Sequence, residues 1–170
     1  TRVGDRHALA RCNHGLGRVD QWLGRYDDSV THYRRALDLF GEVGDRLGEA
    51  RTWHSLGRVA ELQERLPDAL THTRRGLDLF RAAGDRPGLA KALNGVGWYH
   101  SLLGEHRQAL VYCTEALEIL QDLGERRVEA NTWDSLGYVH HRLGDLAAAI
   151  GCYEQAMTVA HDIGDWFHEA

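Results

Sequence analysis

A forty-residue period runs through the chain and constrains its fold more than any other feature. Gly17, Gly57, Gly97 and Gly137 keep that step. So do Gly44, Gly84, Gly124 and Gly164, followed in turn by Asp45, Asp85, Glu125 and Asp165. A column of small residues, Ala36, Gly76, Ala116 and Ala156, keeps it as well. Periods of about twenty to fifty residues belong to stacked supersecondary units, none of which can bury its apolar face alone.

Each unit reads as two helices. In the first unit, Arg6 to Leu23 carries Leu9, Cys12, Leu16, Val19 and Leu23 at helical spacing. Tyr26 to Val43 carries Tyr26, Val30, Tyr33, Leu37 and Phe40 as a buried stripe. Gly24, Gly104 and Gly144 mark the turn inside a unit; Glu64 takes that place in the second unit, where Pro67 falls harmlessly in the first turn of the next helix. Between units, glycine at a helix end takes the left-handed conformation and the following aspartate caps the next helix. Glu125 is a poorer cap, which predicts a weaker junction there. The expected fold is all-α, a right-handed superhelical solenoid of antiparallel helix pairs forming a single domain over 1–170. Its units are 5–44, 45–84, 85–124 and 125–164, with 165–170 as the start of a truncated fifth. An excised piece of a longer protein is expected, and its uncovered ends, Trp166 and Phe167 among them, predict self-association.

Composition excludes several classes. With 43% hydrophobic and 26% charged residues and only 2 prolines, the chain is neither disordered nor of low complexity. A net charge of -5 leaves no nucleic-acid footprint, so no direct nucleic-acid contact is expected. No stretch approaches the roughly 20 apolar residues that span a bilayer, and no leader opens the chain. A cytoplasmic protein without membrane contact is expected. Cys12, Cys113 and Cys152 are widely spaced and form no CxxC pair, which disfavours a disulfide framework or a zinc knuckle.

The pattern W-x-x-L-G at Trp53, Leu56 and Gly57 recurs at Trp133, Leu136 and Gly137, followed by Ala69 or Ala149 and then by Gly76 or Ala156. This resembles the tetratricopeptide repeat, in a long forty-residue form. Asn13 and Leu93 stand where the tryptophan would be, and Asp20, Ala60, His100 and His140 where an aromatic residue would follow the glycine. The stretches GDRLGEARTWHSLG, LNGVGWYHSLLGEHRQALVYCTEAL and NTWDSLGYVHHRLGDLAAAIGCYEQAM are similar to the C-terminal repeats of actinobacterial antibiotic-regulatory transcriptional regulators. That resemblance implies a regulatory sensor or relay module, with DNA reading and nucleotide binding located elsewhere. No GxxxxGK[ST] phosphate loop occurs here.

The segment WDSLGYVHHRLGD poses the question of a metal or acid/base site. Adjacent helical residues point about 100° apart, so His140 and His141 do not readily chelate one ion, and HExxH spacing is absent. The resemblance implies that the column Asp20, Ala60, His100, His140 packs on the unit's second helix, while Gln21, Glu61, Ser101, His141 faces a concave groove. Asp134 and His141 share a face, which leaves a two-ligand site conceivable but disfavoured. Ser55 and Ser135 lie beside His54 and Asp134, and adjacency on a helix is not triad geometry. His32 and His72 share one second-helix column and read as partly exposed. No enzyme, metal or cofactor is expected.

The functional candidate is instead the face of the first helices. Its columns read Arg11, Arg51, Lys91, Asn131; then His14, His54, Asn94, Asp134; then Arg18, Arg58, Trp98, Tyr138; with His141 in the last. The first two units are basic and the last two polar and aromatic. Arginines grip carboxylates bidentately, and Trp98 and Tyr138 offer interface anchors. The expected partner is a protein or peptide segment with acidic residues and an apolar anchor, or another domain of the same chain. A free-standing scaffold or peptide sensor is the alternative, and a metal-dependent enzyme a more distant one. A merely solvated face is the bland one.

Overall fold

The structure, a computed structural model, describes residues 2–164, with side chains from residue 4 onward. Eight helices follow one another without a strand among the described residues: α1 (Arg2–Trp22), α2 (Tyr26–Val43), α3 (Arg46–Leu62), α4 (Leu66–Ala83), α5 (Arg86–Leu102), α6 (His106–Leu123), α7 (Arg126–Leu143) and α8 (Leu146–Asp162). The chain divides into two compact units, 1–88 and 89–170. Asp165, Trp166 and Phe167, expected to cap and to dock, lie outside the described residues.

The turns follow from their residues. Gly44 ends α2 at φ 73°, where its N–H reaches the Gly41 carbonyl at 3.2 Å and the Asp45 N–H reaches that of Phe40 at 3.0 Å. This αL ending satisfies carbonyls that the helix leaves free. Asp45 then accepts the Gly48 N–H at 2.9 Å and caps α3. Glu125 makes no such side-chain bond at the head of α7. Glu64 adopts φ 60° in the turn before α4, where Gly24, Gly104 and Gly144 take positive φ without a Cβ to crowd the backbone.

In the first unit, α1 packs on α2 through small residues. A Cβ on Gly17 would stand 2.7 Å from the Tyr33 ring, and the Ser29 hydroxyl donates to the Gly17 carbonyl at 2.7 Å. Tyr33, Leu56 and Val59 form the core between α2 and α3, with Val30, Leu37 and Trp53 at its edge. The α1 stripe read from the sequence is different. Leu9, Leu16, Val19 and Leu23 are about half exposed, at 54%, 49%, 55% and 58%, whereas Leu56 and Val59, in the same columns as Leu16 and Val19, are 3% and 0% exposed. The reason is geometric. This stripe packs against the helix that precedes it, α2 in the case of α3, and no described helix of the unit covers it on α1. The residues α1 buries are Ala10, Gly17 and Asp20. The helix also begins at Arg2, ahead of the expected Arg6.

In the second unit, Cys113, Leu117, Leu136 and Cys152 form a core cluster with Leu110 and Trp133 packed against it. The motif glycines again let helices touch: a Cβ on Gly97 would overlap the Cys113 sulfur and stand 3.1 Å from the Ala109 carbonyl oxygen. Burial pushes the Cys113 thiol up to about 12. His100, 3% exposed, stacks on Tyr112 of α6 at 5.3 Å and pairs with Glu105. His140, one period on, turns its Nδ1 toward Asp145 at 3.8 Å. Both therefore serve the turn at their own helix end, His100 buried and His140 half-buried, while His141 is exposed.

Candidate binding faces

In residues 1–88 the first-helix columns meet at two cavities. One, about 490 Å³, lies between α1 and α3 and is lined by Arg11, His14, Arg18 and Arg51, with Phe40 and Asp45 at its edge. The other, about 410 Å³, is lined by Arg18 and Arg58 together with Gln21, Trp22, Tyr33 and Ser55. Arg18 belongs to both. The helical step that repeats side chains about every seven residues puts Arg11 and Arg18 on one face of α1 and Arg51 and Arg58 on the matching face of α3. Among the described residues none of these four guanidinium groups forms an ion pair within 4.0 Å. Asp45, the carboxylate of the first cavity, is bonded by His7 at 2.8 Å and by the Gly48 N–H.

His14 sits among these charges half-buried. Its Nδ1 lies 3.0 Å from the Thr52 hydroxyl and its ring 5.4 Å from that of Tyr33. Burial first, and then the positive charges of Arg18 and Arg51, hold its pKa below the usual 6.5. This residue thus ties α1 to α3 as well as lining the face. His54 is half-buried and lines neither cavity.

In residues 89–170 the same columns build a different site. A cavity of about 370 Å³ is lined by Asn94 and Trp98 from α5, Asn131 and Asp134 from α7, and Tyr153 and Met157 from α8. Tyr138 stands behind Trp98, ring centroids 5.4 Å apart and planes tilted by 58°. The Asn94 Oδ1 is buried without a hydrogen-bond partner. Burial, and then Asp134 and Tyr138, raise the Tyr153 pKa. Lys91 is exposed and lines no part of this cavity, nor does His141. Positive charge is therefore not continued here from the first unit.

Column reading missed Tyr153 and Tyr33, because both come from second helices. A signal was present: they occupy one column, opposite the motif glycines Gly137 and Gly17, whose missing Cβ atoms make room for their rings. Among the described residues no group of three or more His, Cys, Asp or Glu side chains is placed to hold a metal ion. No described helix is long and apolar enough to cross a membrane.

Paired helices of near-equal length, joined by short αL turns and packed through small residues, place the chain in the class of helical repeat proteins. The family model described as tetratricopeptide repeat matches residues 8–82, 68–122 and 108–162, and the chain belongs to that family. No curated protein matches it. Among solved structures it is similar to BtubC (BKLC) from P. vanneervenii, at 20% identity and a TM-score of 0.81, over 95% of this chain and 67% of that one. It is also similar to aspartyl phosphate phosphatase F from Bacillus subtilis, at 14% identity and a TM-score of 0.87, over 95% of this chain and 42% of that one. A Rap protein complexed with Competence and Sporulation Factor matches at 17% identity and a TM-score of 0.78, over 88% of this chain and 42% of that one. The chain thus spans two thirds of the first of these proteins and less than half of the other two. Likeness at these identities concerns the fold alone.

Proposed function

We propose that the chain is a non-enzymatic, partner-binding regulatory module, and that the α1–α3 face of residues 1–88 takes a protein or peptide segment rich in Asp and Glu. The observation that carries this reading is the meeting of Arg11, Arg18, Arg51 and Arg58 at two cavities that share Arg18, with no carboxylate paired to any of them among the described residues. Like charges gathered on one face repel and add nothing to folding, whereas an incoming carboxylate relieves the repulsion and accepts charge-assisted hydrogen bonds. The pKa of His14 is lowered first by burial and then by the charges of Arg18 and Arg51, so the same positive potential contributes to that shift. A similar fold, the Rap protein, is seen in complex with Competence and Sporulation Factor, which supports a binding role. On this reading the module is cytoplasmic and serves a larger bacterial transcriptional regulator, the partner being a separate segment or another domain of the same protein. The likeness of GDRLGEARTWHSLG and NTWDSLGYVHHRLGD to regulator repeats supports that placement.

The test is fluorescence anisotropy with a labelled peptide of alternating Glu and Leu, against its Gln counterpart, at low and high salt. The Glu peptide should bind and the Gln peptide should not. Joint replacement of Arg51 and Arg58 by alanine should weaken binding by about tenfold or more and flatten its salt dependence. Equal binding of both peptides, or an unchanged double variant, would reduce the face to solvated arginines.

A further inference from the structure

We infer that the α5–α7–α8 cavity of residues 89–170 is a receptor for a cationic side chain, an arginine or lysine of the partner, held by Asp134 and Asn94 against the rings of Trp98 and Tyr153. This rests on the reading of the first-helix face as a partner surface, but it assigns the opposite chemistry to the second unit.

Several observations converge. Asp134 is the one formally charged side chain lining the cavity, and no arginine or lysine lines it. The Asn94 Oδ1 is a buried acceptor that lacks a donor; a buried polar atom left so is costly, and an N–H donor arriving from outside removes the cost. Trp98 and Tyr153 line the cavity, and Tyr138 tilts against Trp98 at 5.4 Å, so aromatic surface is gathered beside a carboxylate. The faces of such rings carry negative potential and attract ammonium and guanidinium groups. The space of about 370 Å³ holds the head and part of the stem of a long side chain. A carboxylate entering here would meet Asp134 and be repelled, so the acidic segment suited to Arg51 and Arg58 has no counterpart in this cavity. Aliphatic length is accommodated too, since Ala156 and Met157 complete the wall and can cover the methylene stem.

The experiment is an NMR titration of the isotope-labelled full chain with N-acetyl-arginine methylamide, watching the Trp98 indole N–H and the Asn94 side-chain amide. Its neutral isostere, N-acetyl-citrulline methylamide, and the acidic N-acetyl-glutamate methylamide are the controls. Saturable shifts are expected at those two residues with the arginine probe, and affinity for citrulline about tenfold weaker, the loss of one charge-assisted bond. Asp134→Asn should bring the two probes together. Trp98→Leu should abolish the shift at the Asn94 side-chain amide and Trp98→Phe retain it, which separates loss of the ring from loss of fold; the circular dichroism of each variant checks the latter. Citrulline binding as well as arginine, no response at Asn94 and Trp98, or an indifferent Asp134→Asn would each overturn the inference. Failure of the Glu peptide to bind residues 1–88 would overturn only the arginine-face reading, because the arginine and citrulline probes do not engage that face.

Discussion

Gly17 and Gly137 occupy one column and do the same work: each lacks a Cβ where a tyrosine ring, Tyr33 or Tyr153, lies against its helix. The next residue is Arg18 after the first glycine and Tyr138 after the second. Three residues before them stand His14 and Asp134, and six before them Arg11 and Asn131. Residues 1–88 thus use the helix-pair frame to gather guanidinium groups, and residues 89–170 use it to gather aromatic rings around a carboxylate. Positions that touch another helix are held to a narrow choice by packing at near-crystalline density. Positions one step round the helix are less tightly held, even where His14 reaches Thr52 and Tyr138 meets Trp98, and have more room to take up chemistry.

The hardest test of that division is to attack the shared frame in both units. Gly57→Leu and Gly97→Leu should each destabilise the chain by about 3 kcal/mol, since a side chain placed there overpacks the helix pair. Thr73 blocks the first, and Cys113 with the Ala109 carbonyl the second. Urea denaturation at neutral pH measures both. A frame common to the two units predicts similar losses, and a tolerant Gly97 would break the equivalence.

Titration should separate two histidines of residues 1–88 from a cysteine of residues 89–170 at opposite ends of the pH scale. His14 and His72 both lie in the first unit, with pKa values lowered chiefly by burial below the usual 6.5. The folded state then binds fewer protons than the unfolded one between the lowered values and 6.5, so stability is complete above that pH and falls as the pH drops through the window. Replacing both with glutamine should flatten this acid limb. Cys113, in the second unit, is pushed up to about 12, so the folded thiol keeps a proton that the unfolded chain gives up from about pH 9. Stability should fall as pH rises through that interval, and Cys113→Ala should remove that part of the fall. Melting temperatures between pH 5 and 10.5 check both limbs; an acid limb indifferent to the histidine changes would remove the asymmetry.

The smallest effect concerns the turns. Glu64 holds φ 60° in residues 1–88 where Gly104 and Gly144 serve residues 89–170. Glu64→Gly should therefore stabilise the chain by about 1 kcal/mol, the order of the penalty for a side chain in the left-handed region. Gly104→Glu should cost about as much. A neutral Glu64→Gly in denaturant titration would mean that the Glu64 side chain compensates its own backbone.

Glycine and aspartate spacing was enough to locate the helices, because helix endings depend on a few residues near the chain break: α2 runs Tyr26–Val43 as its pattern requires, and Asp45 caps α3. The chemistry of the first-helix face was also legible as columns, since residues seven apart on a helix point alike. Three things were not. The apolar stripe of α1 lies bare although its sequence matches the buried stripe of α3, because burial depends on whether a neighbouring helix lies over the stripe and not on the stripe itself. Lys91, His54 and His141 stand in the right columns yet line none of the three cavities, whereas Tyr33 and Tyr153 enter from second helices that the columns ignored. The unpartnered Asn94 oxygen was invisible for the same reason. A column records the direction in which a side chain leaves its own helix; a cavity is made by the walls that face it, and those walls are set only when helices distant in sequence pack together.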